Sequence, residues 1–159
     1  MSGKVINGKE LAYNLRMEMK KDVMELISNG ITPHLTVILV GNNPASKSYV
    51  NGKKKASSET GISSTILELP SEITEEDLLI KIEELNLDDT VHGILVQLPL
   101  PDHIKEERII EKINPAKDVD GFHLLNIGRM MIGEDTFIPC TQFGIMTMLQ
   151  SKKIKIKSN

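Results

Sequence analysis

Two side chains suited to proton transfer, Tyr49 and Lys53, lie four residues apart. In a helix this spacing puts both on one face. A lysine that acts as an acid or base near neutral pH needs partial desolvation or neighbouring positive charge. Lys54 and Lys55 supply such charge, although they point elsewhere around the helix. The spacing alone favours the simpler interpretation, a solvated basic helix face with a half-buried tyrosine.

A third polar candidate, Gln97, lies near the end of the apolar run HGILVQLPLP at residues 92–101. The run predicts a fully buried strand, which the two prolines prevent from continuing. A buried amide needs partners, because leaving it unpaired costs about 1–3 kcal/mol. Ligands in open α/β sheets usually bind at the ends of the strands. Gln97 therefore either satisfies loop backbone or positions a ligand, and the residues alone leave both open.

Two carboxylates, Asp118 and Asp120, follow in a loop, and Cys140 directly precedes a predicted helix start at Thr141. Acidic loops are usually solvated or make local turns, and a metal site would want more oxygen ligands. A carboxylate could instead accept two parallel N–H bonds from the guanidine-like edge of a heterocycle. A helix N-terminus could activate Cys140, but no histidine partner is evident. We predict neither a metal site nor a nucleophilic cysteine.

The segments that must position these side chains alternate between helix and strand. Four helices are predicted: from the Asn7 cap to Gly30, over 45–60, after the Thr74 cap, and over 105–113. Three strands are predicted: over 35–40, over 65–69, and in the run that contains Gln97. This order predicts an α/β fold, a three-layer αβα arrangement with a mainly parallel sheet whose strand ends share one edge. Residues 117–139 are predicted to be irregular, with a last helix from Thr141 to Leu149 and a strand-like tail over 152–159.

Composition excludes several kinds of partner. The net charge of −3 gives no electrostatic case for nucleic acid or an anionic membrane, and 3% aromatic residues argue against a base-stacking surface. No apolar run is long enough to span a membrane, and the polar N-terminus does not resemble a signal peptide. A single cysteine excludes an intrachain disulfide. We predict a cytoplasmic protein with a small-molecule partner.

Four motifs in order are more specific than any one of them. They are SxxYVxxKxKA at 46–56, GILVQLPLP at 93–101, KDVDG at 117–121 and PCT at 139–141. Together they resemble the bifunctional methylenetetrahydrofolate dehydrogenase/methenyltetrahydrofolate cyclohydrolase (FolD) family over nearly the whole chain. That family oxidises 5,10-methylenetetrahydrofolate with NADP, or NAD in some members. It then hydrolyses the methenyl form to 10-formyltetrahydrofolate.

The resemblance implies roles for individual residues. Lys53 would be the acid/base group beside the one-carbon bridge, Gln97 would orient that lysine, and Tyr49 would lie against the folate. Asp120 would bind the N–H edge of the pterin. The remaining implied contacts are Ser46, Leu98 and Pro99 for the substrate and, weakly, Cys140 and Thr141 for the cofactor. Gln142 stands where the family has a proline, which implies a small loss of stability.

The resemblance also implies a division of the chain. Residues 1–121 would be the folate-binding catalytic domain, 122–150 a connecting segment with an inter-domain helix, and 151–159 the start of a Rossmann domain that the chain lacks. We therefore expect lost dehydrogenase activity, impaired cyclohydrolase activity and a doubtful homodimer, because the family's dimer contacts lie largely in the missing domain. The alternative is a catalytically silent fragment that binds a tetrahydrofolate derivative or associates with a partner.

Overall fold

The structure, a computed structural model, describes residues 5–154. Its sheet has three parallel strands in the order β2-β1-β3, formed by β1 (His34–Val40), β2 (Ser63–Leu69) and β3 (Gly93–Val96). β1 is central and is buried from Thr36 to Val40. A parallel strand covered on both faces reads as a continuous apolar run. That is why 35–40 could be recognised as a strand from sequence.

Helices cover both faces of this sheet. In chain order they are α1 (Gly8–Ser28), α2 (Pro44–Thr60), α3 (Glu75–Leu87), α4 (Glu106–Lys112), α5 (Leu124–Ile132) and α6 (Cys140–Ser151). On one face, Ile38 of β1 packs in a cluster that includes Leu78 of α3 and Ile109 of α4. On the other face, Leu39 packs in a cluster with Val50 of α2. Successive residues of β1 thus point to opposite helix layers, and the predicted αβα fold is confirmed.

Both ends of α2 are fixed by local chemistry. The side chain of Asn43 accepts hydrogen bonds from the N–H groups of Ala45 and Ser46, at 2.9 and 3.2 Å. Pro44 occupies the first turn, where a missing N–H costs nothing. At the other end Gly61 adopts a left-handed conformation with φ of 88°, which suits glycine. The helix begins one residue before the predicted start and ends where predicted.

The prediction of irregular structure over 117–139 is wrong, because α5 lies inside that segment. His123 caps the helix through its ring Nδ1, which accepts from Leu125 N at 3.1 Å, and Gly133 ends it with φ of 78°. Most of its apolar side chains are exposed, and Asn126 is its one buried residue. The apolar residues Leu124, Ile127 and Met131 recur at helical spacing, so the sequence contained a periodic signal for α5 that the prediction missed. The helix is only nine residues long and has a glycine, Gly128, at its centre.

Smaller differences concern the remaining helix ends and the tail. α6 begins at Cys140, one residue before the predicted Thr141. The predicted tail strand over 152–159 lies partly outside the described residues, since 155–159 are not described, while α6 ends at Ser151. Among the described helices, none is both long and apolar enough to cross a membrane.

Candidate active site

Lys53 and Gln97 meet at the carboxyl edge of the sheet. Lys53 Nζ donates a hydrogen bond to Gln97 Oε1 at 3.2 Å. The other end of the Gln97 amide, Nε2, donates to the carbonyl oxygen of Leu98 at 2.8 Å, which turns Oε1 toward the lysine. The backbone N–H of Gln97 extends the sheet pairing by donating to Ile38 O at 2.9 Å. One amide therefore satisfies loop backbone and accepts a hydrogen bond from the amine. That Gln97 also positions a ligand stays a prediction.

The loop that carries Asp120 is attached to the sheet and to the end of α3. Ile94 N of β3 donates to Lys117 O at 2.8 Å, and Ile94 also forms an isolated parallel bridge with Asp118. The ammonium group of Lys117 donates to three backbone carbonyl oxygens at the end of α3, those of Leu85, Asn86 and Asp88, at 2.8–3.1 Å. Cations at a helix C-terminus satisfy carbonyl groups that have no partner within the helix.

Asp118 is a structural residue. It is 2% exposed, and its carboxylate accepts from the N–H groups of Gly121 and His123 and from the side-chain amide of Asn126, at 2.9–3.1 Å. These bonds close the turn in which Asp120 lies. The acidic loop thus contains one carboxylate that makes a local turn and one that is held toward Lys53 and Cys140.

The carboxyl group of Asp120, the thiol of Cys140 and the amine of Lys53 form one electrostatic cluster. Burial raises the pKa of Asp120, while the positive charge of Lys53 acts in the opposite direction. The thiol of Cys140 donates to Val119 O, in the same loop, at 3.5 Å. Burial of the thiol and the nearby charge of Asp120 raise the pKa of Cys140. A thiol that stays protonated near neutral pH is a weak nucleophile. That Cys140 is not a nucleophile stays a prediction.

The other predicted site residues lie around this cluster. Tyr49 is 68% exposed, one helical turn before Lys53, and its ring is open to a ligand. Ser46 is buried one turn earlier. After β3, Leu98 is half-buried and Pro99 is exposed. Thr141, in the first turn of α6, is exposed.

Three residues that fix the site were given no role from sequence. They are Lys117 and Gly121, which were noted only as the ends of the KDVDG motif, and Asn126. Gly121 has φ of +70°, and a Cβ there would lie 2.7 Å from the backbone carbon of Ile138. Its backbone therefore packs directly on the segment that leads to Cys140. An asparagine among apolar residues, as Asn126 is, was the one available signal of a buried polar network.

The cavities near the cluster are limited. A small cavity of about 20 Å³ is lined by Leu98, Asp120 and Phe122, among others. A wider apolar groove of about 400 Å³ runs between α1 and α6, and Cys140 lies at its edge. Among residues 5–154 no three histidine, cysteine or acidic side chains are grouped to bind a metal ion. Lys53, Gln97 and Asp120 are each half-buried.

Residues 6–120 match the family model for the catalytic domain of tetrahydrofolate dehydrogenase/cyclohydrolase. The chain belongs to this family. The bifunctional protein FolD of Oceanobacillus iheyensis is 63% identical over 153 residues, which make up 96% of this chain and 54% of that protein. The resemblance seen in the four motifs is thereby confirmed.

Solved structures of FolD proteins agree with this assignment. The bifunctional FolD of Campylobacter jejuni has a TM-score of 0.94 at 48% identity, covering 95% of this chain and 54% of that one. The FolD of Trypanosoma brucei, solved with its NADP cofactor and an inhibitor, has a TM-score of 0.93 at 33% identity, covering 98% and 54%. The chain spans about half the length of the curated relatives it matches.

The described residues do not fit a dinucleotide. A phosphate-binding turn needs free N–H groups at a helix N-terminus that follows a strand. The turn from β1 to α2 has none to offer, because Asn43 already accepts from Ala45 N and Ser46 N and Pro44 has no N–H. The N-terminus of α6 has no side-chain cap, but α6 follows α5 and not a strand, so it does not form such a turn.

Proposed function

We propose that this chain binds a tetrahydrofolate derivative at the carboxyl edge of its sheet and that Lys53 transfers protons at the one-carbon bridge. The observation that carries the proposal is the 3.2 Å hydrogen bond from Lys53 Nζ to Gln97 Oε1. It uses one N–H of the amine and fixes the direction of the others. The remaining positions on the nitrogen are then available to a ligand beside Asp120.

Asp120 would recognise the pterin ring. A carboxylate can accept two parallel N–H bonds from a guanidine-like edge, a geometry that selects such an edge over a simple amide. The pKa of Asp120 is raised mainly by burial. Two N–H donors favour the ionised form, so ligand binding would lower the pKa of this group. Tyr49, exposed one turn before Lys53, would supply a flat surface for the folate.

Hydrolysis of the methenyl form needs the groups that this cluster supplies. The water oxygen bonds to the methenyl carbon and gives one proton to the unprotonated amine of Lys53, which leaves a hydroxyl group on that carbon. The bond from the carbon to N5 then breaks as N5 takes the proton from Lys53. The hydroxyl proton is released to solvent as the C=O bond forms, and the formyl group stays on N10. Gln97 would keep the amine aimed at the reacting carbon through both transfers. General acid–base catalysis of this kind typically contributes about 10²–10⁴-fold in rate.

Dehydrogenation requires a bound nicotinamide, and none of the three described helices that follow strands offers a phosphate-binding turn. Asn43 caps α2, and α3 and α4 carry acidic residues in their first turns, which would repel phosphate. We therefore expect the 159-residue chain to bind folate and to show no NADP reduction. We also expect weaker cyclohydrolase activity than that of a relative spanning the whole family length. The reason is that the residues of the cluster are only half-buried, and water exclusion strengthens the electrostatic contacts inside an active site.

The test compares Lys53→Met with the matched control Lys54→Met, which replaces the neighbouring exposed lysine of the same helix. Tetrahydrofolate binding is measured by calorimetry, and methenyltetrahydrofolate hydrolysis is followed by its absorbance. We expect both variants to bind and only Lys53→Met to lose hydrolysis. Hydrolysis that survives in Lys53→Met would refute the proposed role. Folate binding without hydrolysis in the unchanged chain would select the silent-fragment alternative.

A further inference from the structure

We propose that Asn126 of α5 is a positioning residue for Asp120. Its amide fixes the carboxylate of Asp118, and the turn that Asp118 closes sets where the Asp120 carboxyl group lies. The inference rests on the folate-binding role proposed above for Asp120. It adds a residue that is outside the cleft and does not touch the ligand.

The amide of Asn126 is fully used. The residue is 1% exposed, and its Nδ2 donates to Asp118 Oδ2 and to Pro115 O, both at 3.0 Å. Its Oδ1 accepts from the hydroxyl of Thr136 at 2.8 Å. The amide therefore connects α5 to the segment before it, through Pro115 and Asp118, and to the segment after it, through Thr136. Any rotation of it would leave a buried polar atom unpaired, so this geometry is strongly determined.

Asp118 transmits this fixed geometry to Asp120. Its two carboxylate oxygens accept from Gly121 N at 3.1 Å and from His123 N at 2.9 Å. The backbone N–H of Gly121 also approaches Asp118 O at 3.3 Å, which closes the turn 118–121. Asp120 is the third residue of that turn. The turn starts on the sheet, where Asp118 is bridged to Ile94, so its two ends are both anchored.

Cys140 reports on where Asp120 lies, because it is the one cysteine of the chain. The charged groups that act on its thiol are Asp120, Lys53 and Asp118. A displaced Asp120 carboxyl group would change how readily the thiol ionises and hence how fast it is alkylated. The position of Asp120 can therefore be followed without any ligand, in addition to its effect on folate affinity.

The experiment is a double-mutant cycle of Asn126→Ala and Asp120→Asn in the full chain. Labelling of Cys140 by iodoacetamide is measured against pH, and the dissociation constant for tetrahydrofolate is measured by calorimetry. We expect Asp120→Asn to speed labelling and Asn126→Ala to do so in the same direction. Each single variant should weaken binding about tenfold. The double variant should match Asp120→Asn alone in both measurements, because the two residues act as one unit.

The matched control is Asn86→Ala. Asn86 also bonds backbone at both ends of its amide, with Nδ2 donating to Lys112 O and Oδ1 accepting from Asn114 N, each at 2.8 Å. It does not contact Asp118 or Asp120, so labelling and affinity should be unchanged. Thr136→Val removes only the hydroxyl that pairs with Asn126 Oδ1. Thr136→Val should change the labelling rate and the affinity in the same direction as Asn126→Ala, but by less. It replaces Asn126→Ala in the experiment if that variant does not fold.

Two results would overturn the inference. One is additivity of the Asn126 and Asp120 effects, and the other is an equal change of labelling in Asn86→Ala. If the unchanged chain does not bind tetrahydrofolate, the proposed function fails. The labelling cycle alone would then decide whether Asn126 positions Asp120.

Discussion

Replacing Gly121 by alanine should destabilise the protein far more than an ordinary glycine substitution. Gly121 has φ of +70°, and an added Cβ would lie 2.7–2.9 Å from backbone atoms of Phe137, Ile138 and Pro139. The left-handed conformation costs an alanine about 1–2 kcal/mol. The contacts are with backbone rather than with flexible side chains, so one of the two segments must move, at a cost of about 1–3 kcal/mol.

The expected loss for Gly121→Ala is therefore about 2–5 kcal/mol, a large share of the 5–15 kcal/mol typical of a domain. Gly133→Ala is a matched control. Gly133 also has a left-handed φ, of +78°, but a Cβ there would meet nothing within 4 Å. The control should therefore show only the conformational cost of about 1–2 kcal/mol. The difference between the two variants isolates the contact between the Asp120 turn and the segment before Cys140.

Urea denaturation of both variants measures this difference, provided that the slope of the transition is unchanged between them. A Gly121→Ala variant that loses no more free energy of unfolding than Gly133→Ala would refute the reasoning. The close packing of Gly121 on residues 137–139 would then not constrain the site.

Three further outcomes are expected. Lys117→Met should lose about 1.5–3 kcal/mol of unfolding free energy in urea, because three carbonyl groups at the end of α3 lose a charged donor. The control is Lys112→Met, which removes only an exposed ion pair with Glu83. Equal losses in the two variants would contradict this prediction. Burial raises the pKa of Asp120 above 3.8, its ordinary value, so folding favours the protonated carboxyl group. The stability that this group contributes is fully present below pH 3.8 and is lost as the pH rises through the raised pKa. At about pH 7 the Asp120→Asn variant should therefore have a higher melting temperature than the unchanged chain. At about pH 3 the two melting temperatures should be equal. A lower melting temperature of the variant at neutral pH would contradict this reasoning. Cys140 is exposed, but its raised pKa predicts slower iodoacetamide labelling in the folded chain than in urea at about pH 7.5. Equal labelling rates would contradict the raised pKa.

The parts of the fold that sequence predicted are those with local causes. β1 was recognisable because both of its faces are buried, and α2 because Asn43 and Gly61 end it with cap residues. The start of β2 was predicted at Thr65, two residues late. Ser63 and Ser64 are polar and join the strand only by pairing with His34 and Leu35 of β1. That pairing is a tertiary interaction, which local propensity does not contain.

Some features of the candidate site could likewise be predicted from sequence and others could not. Lys53 and Gln97 could be placed together because parallel strands bring their carboxyl ends to one edge. The role of Asn126 could not be predicted, since the partners of its amide lie outside α5. Nor could the role of Lys117, whose carbonyl partners lie about thirty residues earlier in the chain. Spacing within a segment carries no information on such partners.

The two fixed ends of α2 have a consequence for how this site can change over evolution. Each residue added to a helix turns the following side chains by about 100° and advances them by about 1.5 Å. A single insertion between Asn43 and Lys53 would rotate the amine away from Gln97 and withdraw Val50 from the sheet. The exposed side of α2 can therefore accept substitutions, but the segment from Asn43 to Lys53 cannot accept an insertion or a deletion without separating Lys53 from Gln97.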